Sequence, residues 1–440
     1  RSHKGDVKML YENITLIDEN YEAQPNMYVC TEGKSITHVG KAAPLNYCGE
    51  RYNGKNKVLV PGYFNLHCHV PMVLIRGYGD GLPLQRWLHE RMFPFEALLT
   101  PEDMYWGGLL GISEMLASGA VSFSDMYMEM DGISKAVEES GIKANLSHGC
   151  SAFSEDVHFA DINGWHGLHY LMDYMKTAKD DRIIAEASLH SEYTTTETLV
   201  REVAQFAKEN KLQLHTHISE TKAEHEECKA RHGGRTPTQW LDYCGVFEVP
   251  VTAAHCVWAE PCDIEIFAKK AVSAVNCPSS NLKLGSGIAP VRSLIDADVR
   301  VCIGTDGAAS NNNLNMHEEI TLASILQKGA ANDPLFLSPH DMLCLACKNG
   351  AEAQGRASCG AIKVGNRADL LVYDMDKPHL LPVYDVLSSL MYSAQASDIC
   401  LTVVDGKTVY KNGEYTTIDI EKVKANVCRI KDEKLAKLQA

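Results

Sequence analysis

The sequence predicts a (β/α)8 barrel with a small β-sandwich built from both chain ends. Three observations predict it. Eight short apolar strands alternate with helical stretches through the middle of the chain. Strand-rich texture returns at both ends. Polar, metal-binding side chains recur where the central strands stop. The eight strands are GYFNLHC, AVSFSDM, IKANLSHG, RIIAEASLH, LQLHTHI, VTAAHCV, AVSAVNC and VRVCIGTD. Eight strand–helix repeats over roughly 240 residues suit a barrel, which runs to about 250.

Taken in order, residues 1–60 hold VKMLYENITLID, NMYVCTEGKSITHVG and NKVLVPG, punctuated by glycine, asparagine and proline as strands are. The opening RSHKG reads as a tag remnant and is set aside. The barrel is assigned to 61–355. Its helices carry start signals: Thr100-Pro101-Glu102-Asp103 supplies an N-cap, a first-turn proline and an acid three residues on, and Ser338-Pro339-His340-Asp341 repeats the arrangement. AEHEECKARHGG is a solvated helical face. Residues 356–420, with GAIKVGNRADLLVYD and ICLTVVDGKTVYKNGEY, return to strands that complete the sandwich. Residues 421–440 form a closing helix with Val423, Val427, Ile430, Leu435 and Leu438 on one face.

Composition excludes several function classes. The 440 residues are 45% hydrophobic and 22% charged, as ordered globular chains are, and the net charge of −15 argues against a nucleic-acid partner. No apolar run reaches membrane-span length, and no signal peptide is visible. Fifteen scattered cysteines, several in apolar strands such as Cys277 and Cys302, suit reduced thiols acting as small hydrophobes in the cytoplasm. CLAC, Cys344 to Cys347, lacks a second CxxC and reads as helix core. The expected partner is a small molecule, with no membrane, and a homo-oligomer is possible.

The strand ends carry the chemistry. Residues i and i+2 of a strand share a face, so His67 and His69 in GYFNLHCHVP point the same way. Strand five ends in His215, His217 and Glu220, strand six in His255, and strand eight in Asp306. In a barrel these ends converge on one face. The set makes a mononuclear site of nitrogen and oxygen donors, suited to zinc and less specifically to iron or nickel. His215 and His217 share a face, which leaves three or four histidine ligands open, with one of the pair either a ligand or a support behind it.

PGYFNLHCH, HTHISET, AAHCVW, NCPSSNLKLGSGIAPV and GTDGAASNNNLNMHEE resemble the amidohydrolase superfamily, and within it the methylthioadenosine/S-adenosylhomocysteine deaminases. The resemblance covers nearly the whole chain. It implies one divalent metal on His67, His69, His217 and Asp306, and hydrolytic deamination of an adenosine-type nucleoside to its inosine analogue and ammonia. Strand four ends in EASLH without a lysine, against a carboxylated-lysine binuclear site. The implied catalytic groups are Glu220 as proton shuttle to the ring, His255 beside the attacking water, and Asp306 as acceptor of its proton. The implied substrate contacts are Trp87 and Glu96 in the long loop 71–100, His190, Glu220, and Arg182 for a homocysteine carboxylate. No arginine lies between Arg91 and Arg182. The loop after strand three offers His158, His166 and His169 instead, so an uncharged 5′ group is expected to be accepted at least as well as homocysteine. Two rival readings remain: an aminohydrolase or chlorohydrolase of guanine, a pterin or an s-triazine, and a non-catalytic homologue acting as a scaffold.

Overall fold

The computed structural model describes residues 8–439. The opening RSHKG lies outside them. Its centre is a parallel barrel of eight strands: Tyr63–Cys68, Ala120–Tyr127, Lys143–His148, Ile183–Ala185 continued by Ala187–Leu189, Leu214–Ile218, Val251–His255, Val272–Asn276 and Arg300–Ile303. Helices cover the outer face, so both faces of each strand are buried and unbroken apolar runs replace alternation. Tyr63–Cys68 and Leu214–Ile218 are buried at every position.

The ladder has two seams. At Glu186 the fourth strand divides: Ile183–Ala185 pairs with the third strand and Ala187–Leu189 with the fifth. Glu186 N–H still donates to the Leu146 carbonyl at 2.9 Å. Between the last strand and the first, Asp306 N–H donates to the His67 carbonyl at 2.9 Å. There the Asn65 amide clasps Thr305 with bonds of 2.7 and 3.0 Å. Gly304 permits this approach, because a Cβ there would stand 2.9 Å from His67 N and 3.0 Å from His67 Cβ.

The helices start where the sequence signals them. Pro101–Ala117 and Pro339–Leu343 each carry a full capping box, on Thr100 with Asp103 and on Ser338 with Asp341. The helix Ile420–Gln439 buries Val423 and Ile430. It is tied to Pro101–Ala117 by Lys434 Nζ, 2.6 Å from Asp103.

Strands from both chain ends join one nine-stranded sheet. Leu370–Asp374 pairs antiparallel with Lys57–Pro61, which links the two ends. The sheet encloses its own core, with Leu16, Val29, Leu59, Leu370, Val372 and Val403. Lys143, from the amino end of the third barrel strand, is buried between Asp369 and Asp405, with Nζ 2.6 Å from Asp405. Among the described residues no helix is long and apolar enough to cross a membrane.

Candidate active site

Four groups meet at the carboxyl ends of strands one, five and eight. His67 Nε2 and His69 Nε2 lie 3.4 and 3.3 Å from Asp306 Oδ1, and His217 Nε2 lies 3.3 Å from His69 Nε2. Each ring is held by its other nitrogen. His69 Nδ1–H donates to the Met126 carbonyl, and His217 Nδ1–H to the His190 carbonyl at 2.5 Å. A carbonyl only accepts, so the proton sits on Nδ1 and the Nε2 lone pair is free. His67 Nδ1 lies 2.9 Å from His215 Nε2. This separates the two strand-five histidines: His217 faces the site and His215 stands behind His67.

A divalent cation fits this donor set. His67 Nε2 is buried without a hydrogen-bond partner and is aimed at Asp306. Burial pulls His69 down, but the Asp306 carboxylate and the Met126 carbonyl outweigh it, so positive charge is favoured between His69 and Asp306, where a bound cation would stand in place of a proton on Nε2. Burial also opposes charge on Asp306, yet His67 and His69 hold its carboxyl well below the usual range. Burial and the neighbouring rings hold His67 down to about 3 and His217 well below the usual imidazole value, which favours both rings as neutral donors. Asp306 is fixed in place: Oδ2 accepts the hydroxyls of Ser280 and Ser310 at 2.5 and 2.9 Å, and Oδ1 accepts Gly307 N–H at 2.7 Å.

His255 and Glu220 flank the cluster. His255 Nε2 is 3.8 Å from Glu220 Oε2 and 4.0 Å from Asp306 Oδ2. Its Nδ1–H donates to Asn281 Oδ1 at 2.8 Å. Glu220 sits on a turn whose amides bind Glu224: Oε1 accepts Ser219 N–H at 3.0 Å and Oε2 accepts Glu220 N–H at 2.8 Å. Burial pushes the Glu220 carboxyl up.

These groups open onto one cavity of about 230 Å³, which Trp87, Glu96 and His190 also line. Tyr127 donates to Glu96 Oε1 at 2.7 Å, and burial raises the Glu96 carboxyl. Met72, Leu88, Phe93, Met126, Met128 and Leu284 make the apolar side, and among the described residues no lysine or arginine lines the cavity. His148, Tyr193 and Tyr127 line it too, and the sequence reading missed them. His148 ends strand three, so the signal that found His67 and His255 would have found it. The tyrosines carry no such signal.

Arg182 is not brought to the site. It precedes the fourth strand, at the opposite end from His190. Its guanidinium is used up on Asp180 and on the carbonyls of Val137 and Ile142 at 3.0 and 3.1 Å. His158, His166 and His169 stay outside as well. His158 is exposed and bonds Glu202 at 2.6 Å, while His166 and His169 ride on the outer helix Asn163–Thr177, where His169 packs on Trp165.

The chain matches the Amidohydrolase family over residues 58–409. It is 44% identical over 379 residues to a 5-methylthioadenosine/S-adenosylhomocysteine deaminase of Dictyoglomus thermophilum, covering 84% of this chain and 86% of that one. It is 40% identical over 416 residues to a 5′-deoxyadenosine deaminase of Methanosarcina acetivorans, covering 94% and 95%. The crystal structure of an adenosine deaminase from Xanthomonas campestris with bound zinc superposes with a TM-score of 0.92 at 30% identity, over 98% of this chain and 99% of that one. On this match and these identities the chain belongs to the amidohydrolase family, whose members are metal-dependent enzymes.

Proposed function

We propose that the protein is a zinc-dependent hydrolytic deaminase of adenosine-type nucleosides. The observation that carries this reading is one cavity lined by His69, His217, Asp306 and the buried acid Glu220, with His67 against Asp306 and with Glu96 and Trp87 on the same lining. The deaminase names of the relatives support it.

His67, His69 and His217, through Nε2, and Asp306, through Oδ1, would hold the ion. When bound, a divalent ion there supplies Lewis acidity that brings a water's pKa toward neutrality. The other steps belong to the chain. His255 has its Nδ1 proton committed to Asn281, so Nε2 is left to hydrogen-bond the attacking oxygen. Asp306 takes the water's proton and passes it to the departing amino group. Glu220, whose carboxyl burial pushes up, gives a proton to the ring nitrogen beside the attacked carbon and recovers one as ammonia leaves. Glu96 accepts ribose hydroxyls on the oxygen that Tyr127 does not occupy.

The 5′ group then decides the substrate. A homocysteine carboxylate would enter a cavity with no lysine or arginine to pair it, and an unpaired buried charge is costly. Uncharged 5′ groups, as in adenosine, 5′-deoxyadenosine or 5′-methylthioadenosine, are preferred. Ammonia release from adenosine by zinc-replete protein tests the reading, with elemental analysis alongside. His67→Ala should lose most of the metal and the activity together. Full metal occupancy in that variant would refute the ligand assignment.

A further inference from the structure

Below the four-donor cluster, inside the barrel, lies a file of buried polar groups that the proposed chemistry does not use. Glu186 sits at the break in the fourth strand and is 1% exposed. Its Oε2 and His215 Nδ1 are both buried without a hydrogen-bond partner, and they face each other at 3.8 Å. Their other ends are engaged. Asn145 Nδ2 donates to Glu186 Oε1 at 2.7 Å, and His215 Nε2 lies 2.9 Å from His67 Nδ1. His67 Nε2, the third unpartnered atom of the file, points at Asp306.

The file has a direction, set at the barrel floor. Arg356 is buried, and a guanidinium only donates. It donates to Asn145 Oδ1 at 3.1 Å and to the Ala144 and Arg182 carbonyls at 3.1 and 2.7 Å. That commits the Asn145 amide nitrogen to Glu186, and Glu186 to accepting. Burial lifts the Glu186 carboxyl to about 7, so above that pH it is a carboxylate whose free Oε2 also accepts, and it favours the His215 tautomer with its proton on Nδ1. His215 Nε2 then accepts from His67 Nδ1–H, and the His67 lone pair is left on Nε2. At 3.8 Å the carboxylate–imidazole pair is about 0.9 Å longer than a typical N–H···O bond. Neither atom has another partner, so the carboxylate still decides which ring nitrogen keeps the proton.

We infer that Glu186 and His215 are positioning residues that place the proton of His67 on Nδ1 and so present its Nε2 lone pair to the metal. The inference rests on the metal reading above. Glu186→Gln is the discriminating change, because it keeps size and reverses direction. Asn145 would hold the new amide oxygen, and the amide nitrogen would donate to His215 Nδ1. His215 would then donate from Nε2 to His67 Nδ1, forcing the His67 proton onto the ligating atom. Partners behind ligands commonly contribute about 10- to 100-fold in metal affinity.

The experiment is a zinc titration of metal-stripped protein in competition with a chromophoric chelator, with melting of the metal-free form as a folding control. Glu186→Gln should raise the zinc Kd about tenfold or more. Glu186→Asp, which keeps the acceptor, should lie closer to the wild type. In a His215→Ala background, Glu186→Gln should change the Kd no further, because its effect travels through His215. An unchanged Kd in Glu186→Gln would overturn the inference. So would an equal loss in Glu186→Asp, or an undiminished loss without His215. Wild-type protein that failed to bind one zinc per chain would instead refute the metal reading, so the two failures are distinguishable.

Discussion

Glu220 and Arg182 show at residue scale how far a side chain's identity carries. Glu220 lies where the strand-end argument puts it, buried and 3.8 Å from His255. Glu220→Gln keeps the volume and removes the acid. Zinc content should be unchanged and kcat should fall at least about 100-fold, the range of a general acid–base group. A near wild-type kcat would make Glu220 structural. Arg182 was carried over by sequence position, and position along a strand is a distance. Eight residues from His190 at about 3.3 Å each put it about 25 Å away, at the barrel floor. There its hydrogen bonds to Asp180, Val137 and Ile142 hold a loop together. Arg182→Ala should cost about 1–3 kcal/mol of stability by leaving those acceptors unpaired. The ratio of kcat/KM for 5′-methylthioadenosine to that for S-adenosylhomocysteine should not move. A selective loss on S-adenosylhomocysteine would restore Arg182 to substrate binding.

At the scale of elements, strand ends were legible and loop contacts were not. His67, His69, His217, His255 and Asp306 were found because polar residues ending apolar strands must face the same rim. His215 and His217 could not be told apart from sequence, since both share one face; the carbonyl of His190 and the ring of His67 separate them. The missing loop arginine was visible, but of the histidines offered in its place His166 and His169 went onto an outer helix and His158 turned out to Glu202 before it. The start of the helix Lys222–Arg231 is likewise part of the site. Thr221 caps it, and Glu224 in its first turn accepts the amides of Ser219 and Glu220. Ser219 holds φ +50, so the turn depends on these bonds. Glu224→Ala should lower kcat with little change in KM, because Glu220 would lose its orientation while the binding wall stays. An unchanged kcat would show that the turn holds itself.

At the scale of the whole molecule, the discontinuous sheet was legible as strand texture at both ends. The clamp that joins it to the barrel was not, because Lys143, Asp369 and Asp405 are far apart in sequence. Burial opposes ionisation of Asp405, and Lys143 with Arg367 outweighs it and holds the carboxyl below its ordinary value. A depressed folded pKa contributes stability that is complete above the ordinary carboxylate range and is lost as pH falls through the folded value. Lys143→Met removes the buried ammonium between Asp369 and Asp405 and leaves Asp405 to Arg367. It should cost about 3–5 kcal/mol near pH 7. The gap from wild type in urea midpoint should narrow as pH falls through the depressed Asp405 value, where the wild type loses the clamp's contribution. A gap independent of pH would contradict the clamp.

The cavity brings these scales together: a polar wall from the strand ends, an apolar wall from the loops, and no lysine or arginine among its described lining. The most direct measurement is kcat/KM by ammonia release from zinc-replete protein across adenosine, 5′-methylthioadenosine, S-adenosylhomocysteine, adenine, guanine and an s-triazine. Adenosine or 5′-methylthioadenosine should lead. S-adenosylhomocysteine should trail by about tenfold or more, the equivalent of one missing charge-assisted contact of about 1.5–3 kcal/mol. Adenine, without hydroxyls for Glu96, should be poor. Turnover of guanine or the triazine above every adenosine-type nucleoside would contradict the account.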